Sequence, residues 1–111
     1  MRRIDLVAPR GAILRAQVPE TRRERMRGLL GRPNLSASDT VLLERTRSIH
    51  TFGMHFPVTV ALLDGGLVVR SVRLLRPGRL LLPRPGVRHV LECAEGVDLR
   101  ADDRLRIVEG S

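Results

Sequence analysis

The stretch SIHTFGMHFPV, residues 48–58, gathers His50, His55, Met54 and both phenylalanines, Phe52 and Phe56. Imidazole beside a thioether suits a soft metal ion such as Cu(I). In an extended segment alternate residues point to opposite faces. His50, Phe52 and Met54 then share one face, and His55 lies on the other with Thr51 and Gly53. The two histidines cannot chelate one ion unless the strand kinks at Gly53. A His50–Met54 pair would need a third ligand, Cys93 or His89, from later in the chain. Apolar packing of Phe52 and Met54 next to a hydrogen-bonded histidine is the simpler expectation, so no metal and no cofactor is expected.

Two other groupings could do chemistry. Cys93 follows His89 by four residues, on the same face of a strand. A nucleophilic thiolate needs a base within hydrogen-bond reach and a third group to orient that base. Glu92 falls on the opposite face and no glycine loop adjoins the cysteine, so Cys93 reads as a buried structural thiol. Glu92 itself sits inside the apolar run VLEC, where a buried carboxylate calls for a partner, and an arginine is the expected one. Asp102 and Asp103 stand where a turn favours aspartate. No catalytic residue is assigned.

These side chains must be positioned by short strands. TVLLE, VTVALLD, LVVRSVRLL, HVLEC and LRIVE are rich in Val, Ile and Leu and are separated by Gly, Pro or Asp. Between two of them, Gly65 and Gly66 supply the positive φ values of a two-residue hairpin loop. ASD at 37–39 and ADD at 101–103 mark further turns. The segment 76–88 carries three prolines and two glycines, which makes it an irregular connector or edge. One helix is expected. Thr21 and Glu24 form a capping box, Met26, Leu29 and Leu30 make a short apolar stripe, and Gly31 with Pro33 ends it. The expected fold is mostly β, a small β-sandwich or partly open barrel with one short α-helix in the N-terminal half.

The chain has 111 residues and 42% hydrophobic content, which predicts a single domain, 1–111, with one sizeable core. No apolar run is long enough to span a membrane as a helix. The N-terminus has two arginines but no apolar h-region, so a signal peptide is not expected and the location reads as cytoplasmic. A single cysteine forbids an internal disulfide. The formal charge is +8, and all 20 basic residues are arginine. Uniform use of arginine reads as compositional bias more than as a binding demand. Even so, Gly65 to Leu91 holds six arginines (Arg70, Arg73, Arg76, Arg79, Arg84, Arg88) and no acidic residue. That run could track phosphates, but there is no Tyr or Trp and the phenylalanines lie elsewhere, so a base-stacking platform is missing.

Three stretches, ERMRGLLGR (24–32), SIHTFGMHFPVTVALLD (48–64) and VLECAEG with ADDRLRI (90–107), together resemble the bacterial and archaeal family named domain of unknown function 192. The matching positions are Arg25, Gly28, Leu29, Gly31 and Arg32, then His50, Thr51, Phe52, Gly53, Met54, Pro57 and Asp64, then Leu91, Glu92, Gly96 and Asp103. The chain departs from the pattern at Leu30, where Met is frequent, at Thr59, where Asp is frequent, and at Asp102, where Gly is frequent. The resemblance implies a compact, mostly β domain of sandwich type with a short helix near its start, and no activity. Without an Asp at 59, the natural general base beside the histidine is missing.

The expected function is a non-catalytic binding module for a small polar or anionic ligand or a partner protein. Its groove would be lined by Arg25, Gly28, Gly31, Arg32, His50, Thr51, Met54 and Glu92. The alternatives are an enzyme using His50 as acid or base with Arg25, Arg32 and Glu92 as partners, and a basic protein that binds nucleic acid without specificity.

Overall fold

The structure, a computed structural model, describes residues 2–21 and 40–109. Nine strands are present among them: β1 (Arg2–Val7), β2 (Ile13–Val18), β3 (Thr40–Leu43), β4 (Ile49–His50), β5 (Val58–Leu63), β6 (Val69–Leu75), β7 (Leu80–Leu81), β8 (His89–Cys93) and β9 (Arg106–Glu109). The five strand stretches expected from the sequence are therefore strands. The first two strands were not anticipated, although RRIDLV and ILRAQV alternate: Ile4, Leu6, Leu14, Ala16 and Val18 are buried. The described residues hold no helix. The expected one falls on residues outside them apart from Thr21, as do the turn at 37–39 and Arg25, Gly28, Gly31 and Arg32.

Seven strands form one sheet in the order β6-β5-β8-β3-β2-β1-β9, and β4 pairs with β7 in a second, two-stranded sheet. All neighbours in the large sheet are antiparallel except β2 and β3, which run parallel through Ala16–Thr40 and Gln17–Val41. The middle strands β5 and β3 are buried at every position. A continuous apolar run of this kind is what a strand covered on both faces requires.

Each face carries its own core. On one side Ile4, Leu6, Leu14, Val18, Leu42, Leu63, Val69, Leu91, Leu99 and Leu105 form a single cluster that draws on both edges of the sheet. Only a sheet curled around that face can bring its edges to one cluster. The edges meet at one end: Val68 bridges Arg104, the Val69 amide donates to Asp103 O at 2.7 Å, and the Leu105 amide donates to Leu67 O at 3.0 Å. The seven-stranded sheet is not closed into a barrel. On the outer face Val41, Leu43, Val58, Val60, Leu62 and Val90 pack under Ile49, Met54, Leu81 and Val87, so the small β4–β7 sheet covers the middle of the large one.

Turn chemistry corrects one expectation. The loop between β5 and β6 does not place Gly65 and Gly66 at positive φ. Leu67 takes that conformation instead, at φ 63. The Leu67 amide donates to Asp64 O at 3.1 Å, and the Asp64 carboxylate accepts from the amides of Gly66 at 2.9 Å and Val68 at 3.0 Å. This is a three-residue loop ending in a left-handed residue, and the amides hold the Asp64 carboxyl below its usual range. Asp64 therefore builds a turn.

The 101–103 turn is present as expected, with Asp102 at φ 75. That backbone explains why glycine is frequent there in the resembling family, since a left-handed residue with a Cβ is strained. Asp102→Gly is expected to stabilise the protein by about 0.5–1 kcal/mol, read as a higher urea midpoint with an unchanged slope. A lower midpoint would refute this reading. The same turn is tied to the β1–β2 loop. Arg10 makes a two-pronged pair with Asp103 (3.0 and 2.6 Å) and donates to Asp98 at 3.0 Å, which holds both carboxyls below their ordinary values.

Candidate functional site

β4 pairs with β7 through Ile49–Leu81 and His50–Leu80. Ile49 and Leu81 face the core, while His50 and Leu80 face outward. Alternation then stops. The Met54 amide donates to Thr51 O at 3.2 Å and Gly53 sits at φ 82, which closes a tight turn. The turn swings Met54 into the outer-face core and leaves Phe52 outside, stacked on His50 with ring centroids 5.0 Å apart and planes 21° apart. His50 and Met54 therefore do not share a face, and the pair a soft metal would need is not formed. Phe52 is not core bulk, being 53% exposed. Phe56 and Met54 do pack inward.

Thr51 is buried and fully used. Its hydroxyl donates to Arg76 O at 2.7 Å and accepts from the Arg79 amide at 2.8 Å; its own amide donates to Arg79 O at 2.8 Å; its carbonyl accepts from Gly78 at 3.0 Å. It pins the proline-rich connector to the His50–Met54 turn.

Glu92 lies on β8 between Val41 of β3 and Val60 of β5, on the outer-face core. Among the described residues no arginine or other partner reaches it, contrary to expectation. Burial alone pushes its carboxyl up to about 7. Cys93 faces the inner core, where its Sγ lies 3.6 Å from Thr59 O. Burial, with the Glu92 carboxylate adding, pushes the thiol up to about 12, so it is unreactive at neutral pH. His89 stands four residues along the strand, about 13 Å away by the strand rise, out of reach as a base. Of the expected groove, then, His50 faces outward, Thr51 is bonded to the connector, and Met54 and Glu92 lie on the same apolar layer.

A cleft of about 580 Å³ is lined by Arg45, Arg47, Gly65, Gly86, Arg88 and His89. Sheet order creates it. β5, β8 and β3 are neighbours, so the loop after β3, the β5–β6 turn and the end of the connector before β8 meet at one end of the sheet. Arg45 sits at φ 52, which turns its amide to donate to His89 Nδ1 at 3.1 Å. The Arg88 amide donates to Leu63 O at 2.8 Å, and Arg88 Cγ lies 3.8 Å from where a Cβ on Gly65 would stand. Burial holds the His89 pKa below its ordinary value, with Arg88 and Arg45 adding and Glu44 and Asp64 opposing. The imidazole is thus neutral near pH 7. With Nδ1 accepting from Arg45, the ring proton sits on Nε2 as a donor.

The lining holds three guanidiniums and a neutral imidazole, with no carboxylate and no nucleophile. That donor set suits an anion. The sequence reading missed Arg45, Arg47 and Gly86, and weighed His89 as a partner for Cys93 or a third metal ligand, not as part of an anion site. The available signal was an arginine in each loop flanking adjacent apolar strands, ERTR after TVLL and VRH before VLEC.

Comparisons with known proteins place this fold and sequence. A UPF0127 protein of Thermococcus sibiricus is 33% identical over 87 residues, covering 75% of this chain; the chain spans only 56% of that relative's length. A crystal structure of a protein of unknown function from Novosphingobium aromaticivorans superposes with a TM-score of 0.76 at 15% identity, covering 94% of this chain and 83% of the other. A Sinorhizobium meliloti protein described as a candidate transcription regulator gives 0.77 at 19% identity, covering 96% and 92%. At such identities these two structures establish likeness of fold. The family model DUF192, described as "Uncharacterized ACR", matches residues 6–107, and the chain belongs to that family.

Proposed function

We propose that the protein is a non-catalytic binding module for a small anionic ligand, held in the cleft of Arg45, Arg47, Arg88 and His89. The observation that carries this reading is the lining itself: Arg45, Arg47, Arg88 and His89 border one cleft, and no acidic residue is part of its lining. Guanidinium forks match phosphate and carboxylate oxygens in pairs, and the net charge of +8 raises the local concentration of anions. The lining holds no carboxylate and no nucleophile beside His89, which favours binding over turnover.

Titration with inorganic pyrophosphate, followed by amide NMR shifts and calorimetry, tests the reading. Shifts centred on Arg45, Gly86 and His89 are expected, and Arg45→Gln with Arg88→Gln should weaken binding at least about 10-fold, as loss of charge-assisted hydrogen bonds requires. Because the arginines stay charged, affinity should change little between pH 7 and 9. Shifts elsewhere, or equal affinity of the double variant, would refute the assignment.

A further inference from the structure

We propose that the outward face of the β4–β7 sheet binds single-stranded nucleic acid, with His50 and Phe52 as a base-stacking platform and Arg76 and Arg79 contacting phosphates. In the sequence the aromatic residues stand more than twenty positions before these arginines. The fold removes that separation. Thr51, flanked by His50 and Phe52, exchanges two hydrogen bonds with the Arg79 backbone and accepts one from Gly78, and its hydroxyl donates to Arg76 O. The stacked rings therefore sit directly against the arginine-rich connector, and the missing platform is present.

Three properties of this face favour a nucleic acid strand. First, the rings are already stacked and Phe52 is 53% exposed, which leaves aromatic surface for a base. Leu80 and Leu82, 57% and 63% exposed, continue the apolar strip beside them. Second, both chain segments that build the face, 45–63 and 65–91, contain no Asp or Glu. Third, Arg76 and Arg79, whose backbones bond to Thr51 beside the strip, are exposed, as is Arg84 of the same connector. Aromatic platforms flanked by cationic side chains bind single strands with little sequence preference, because every base offers a π-face. This surface is separate from the anion cleft and does not depend on it.

Fluorescence anisotropy of the full chain with a labelled oligothymidylate of about 12 nucleotides, at about 50 mM salt, tests the proposal. Binding should be tighter than to a duplex of the same length, and log K should fall linearly with log salt. Phe52→Ala, an exposed position where folding is not at stake, should weaken binding about 10-fold with the salt slope unchanged. Phe52→Trp should restore it. Arg76→Gln with Arg79→Gln should lower the salt slope by about 1.4, the value for two phosphate contacts on a single strand, while Arg45→Gln with Arg88→Gln should leave platform binding intact. Absence of binding would overturn the proposal. So would equal affinity of Phe52→Ala, which would mean mere polyanion adsorption. Binding to anionic vesicles that the oligonucleotide does not displace would assign the face to membranes and overturn it as well.

Discussion

Replacing Glu92 by glutamine is expected to stabilise the protein by about 2–3 kcal/mol at pH 8 and to leave its stability unchanged at pH 4. The carboxyl is buried between Val41 and Val60, without a partner among the described residues, and burial raises it from an ordinary 4.5 to about 7. The sign follows from which state holds the proton. Below pH 4.5 both folded and unfolded chains are protonated there, and burial carries no charge penalty. Between 4.5 and 7 the unfolded chain releases its proton while the folded one keeps it, so stability falls as pH rises. Above 7 the penalty is complete, and that interval corresponds to roughly 3 kcal/mol at 1.36 kcal/mol per pH unit. Glutamine keeps the shape, removes the charge and still leaves an unpaired polar group, hence the smaller lower bound. Urea midpoints of both proteins across pH 4–9 decide the matter. Parallel profiles would show that Glu92 is ionised and compensated in the folded state.

Thr51→Val is expected to lower stability by about 2 kcal/mol and to loosen the β4–β7 sheet selectively. Valine fills the same volume but removes the hydroxyl that donates to Arg76 O and accepts from the Arg79 amide. Both backbone groups are then left without that partner in a half-buried setting, at a cost of about 1–3 kcal/mol. Thr51→Ser keeps the hydroxyl and should lose clearly less. Hydrogen exchange supplies the regional readout: the amides of Thr51, Gly78 and Arg79 should exchange faster in the valine variant while those of β5 and β8 do not. A uniform change across the sheet, or a serine variant as weak as valine, would argue against the hydroxyl as the pin. Because the same bonds hold His50 and Phe52 against the connector, the valine variant should also bind oligothymidylate less well.

The family position that seemed best suited to chemistry shows how far local reading reaches. Strict alternation along SIHTFGMHFPV puts His50, Phe52 and Met54 on one face, and that holds only while the chain stays extended. Gly53, at φ 82, lets the chain turn after two strand residues. Met54 then goes to the core and Phe52 to the surface. Glycine permits both extended and left-handed backbone, so spacing could not choose between them. The β5–β6 loop errs in the opposite way. Its two glycines invite positive φ, but the Asp64 carboxylate captures the amides of Gly66 and Val68 and moves the left-handed residue to Leu67.

What the sequence determined by itself was local. Runs such as VTVALL and HVLEC must be strands because β-branched and aliphatic side chains favour a pleated, two-sided burial, and Gly, Pro and Asp end them. The mostly β class follows from those runs, as does the inert character of a cysteine set among apolar neighbours. Tertiary structure decided which ends meet. Sheet order puts β8 between β5 and β3, and from that placement come the cleft at Arg45, Arg88 and His89 and the burial of Glu92 with no arginine against it among the described residues. It also decided that one curled sheet encloses the inner core. The reason is physical: strand formation depends on residues a few positions apart, whereas strand order is set by the simultaneous burial of both faces across the whole chain.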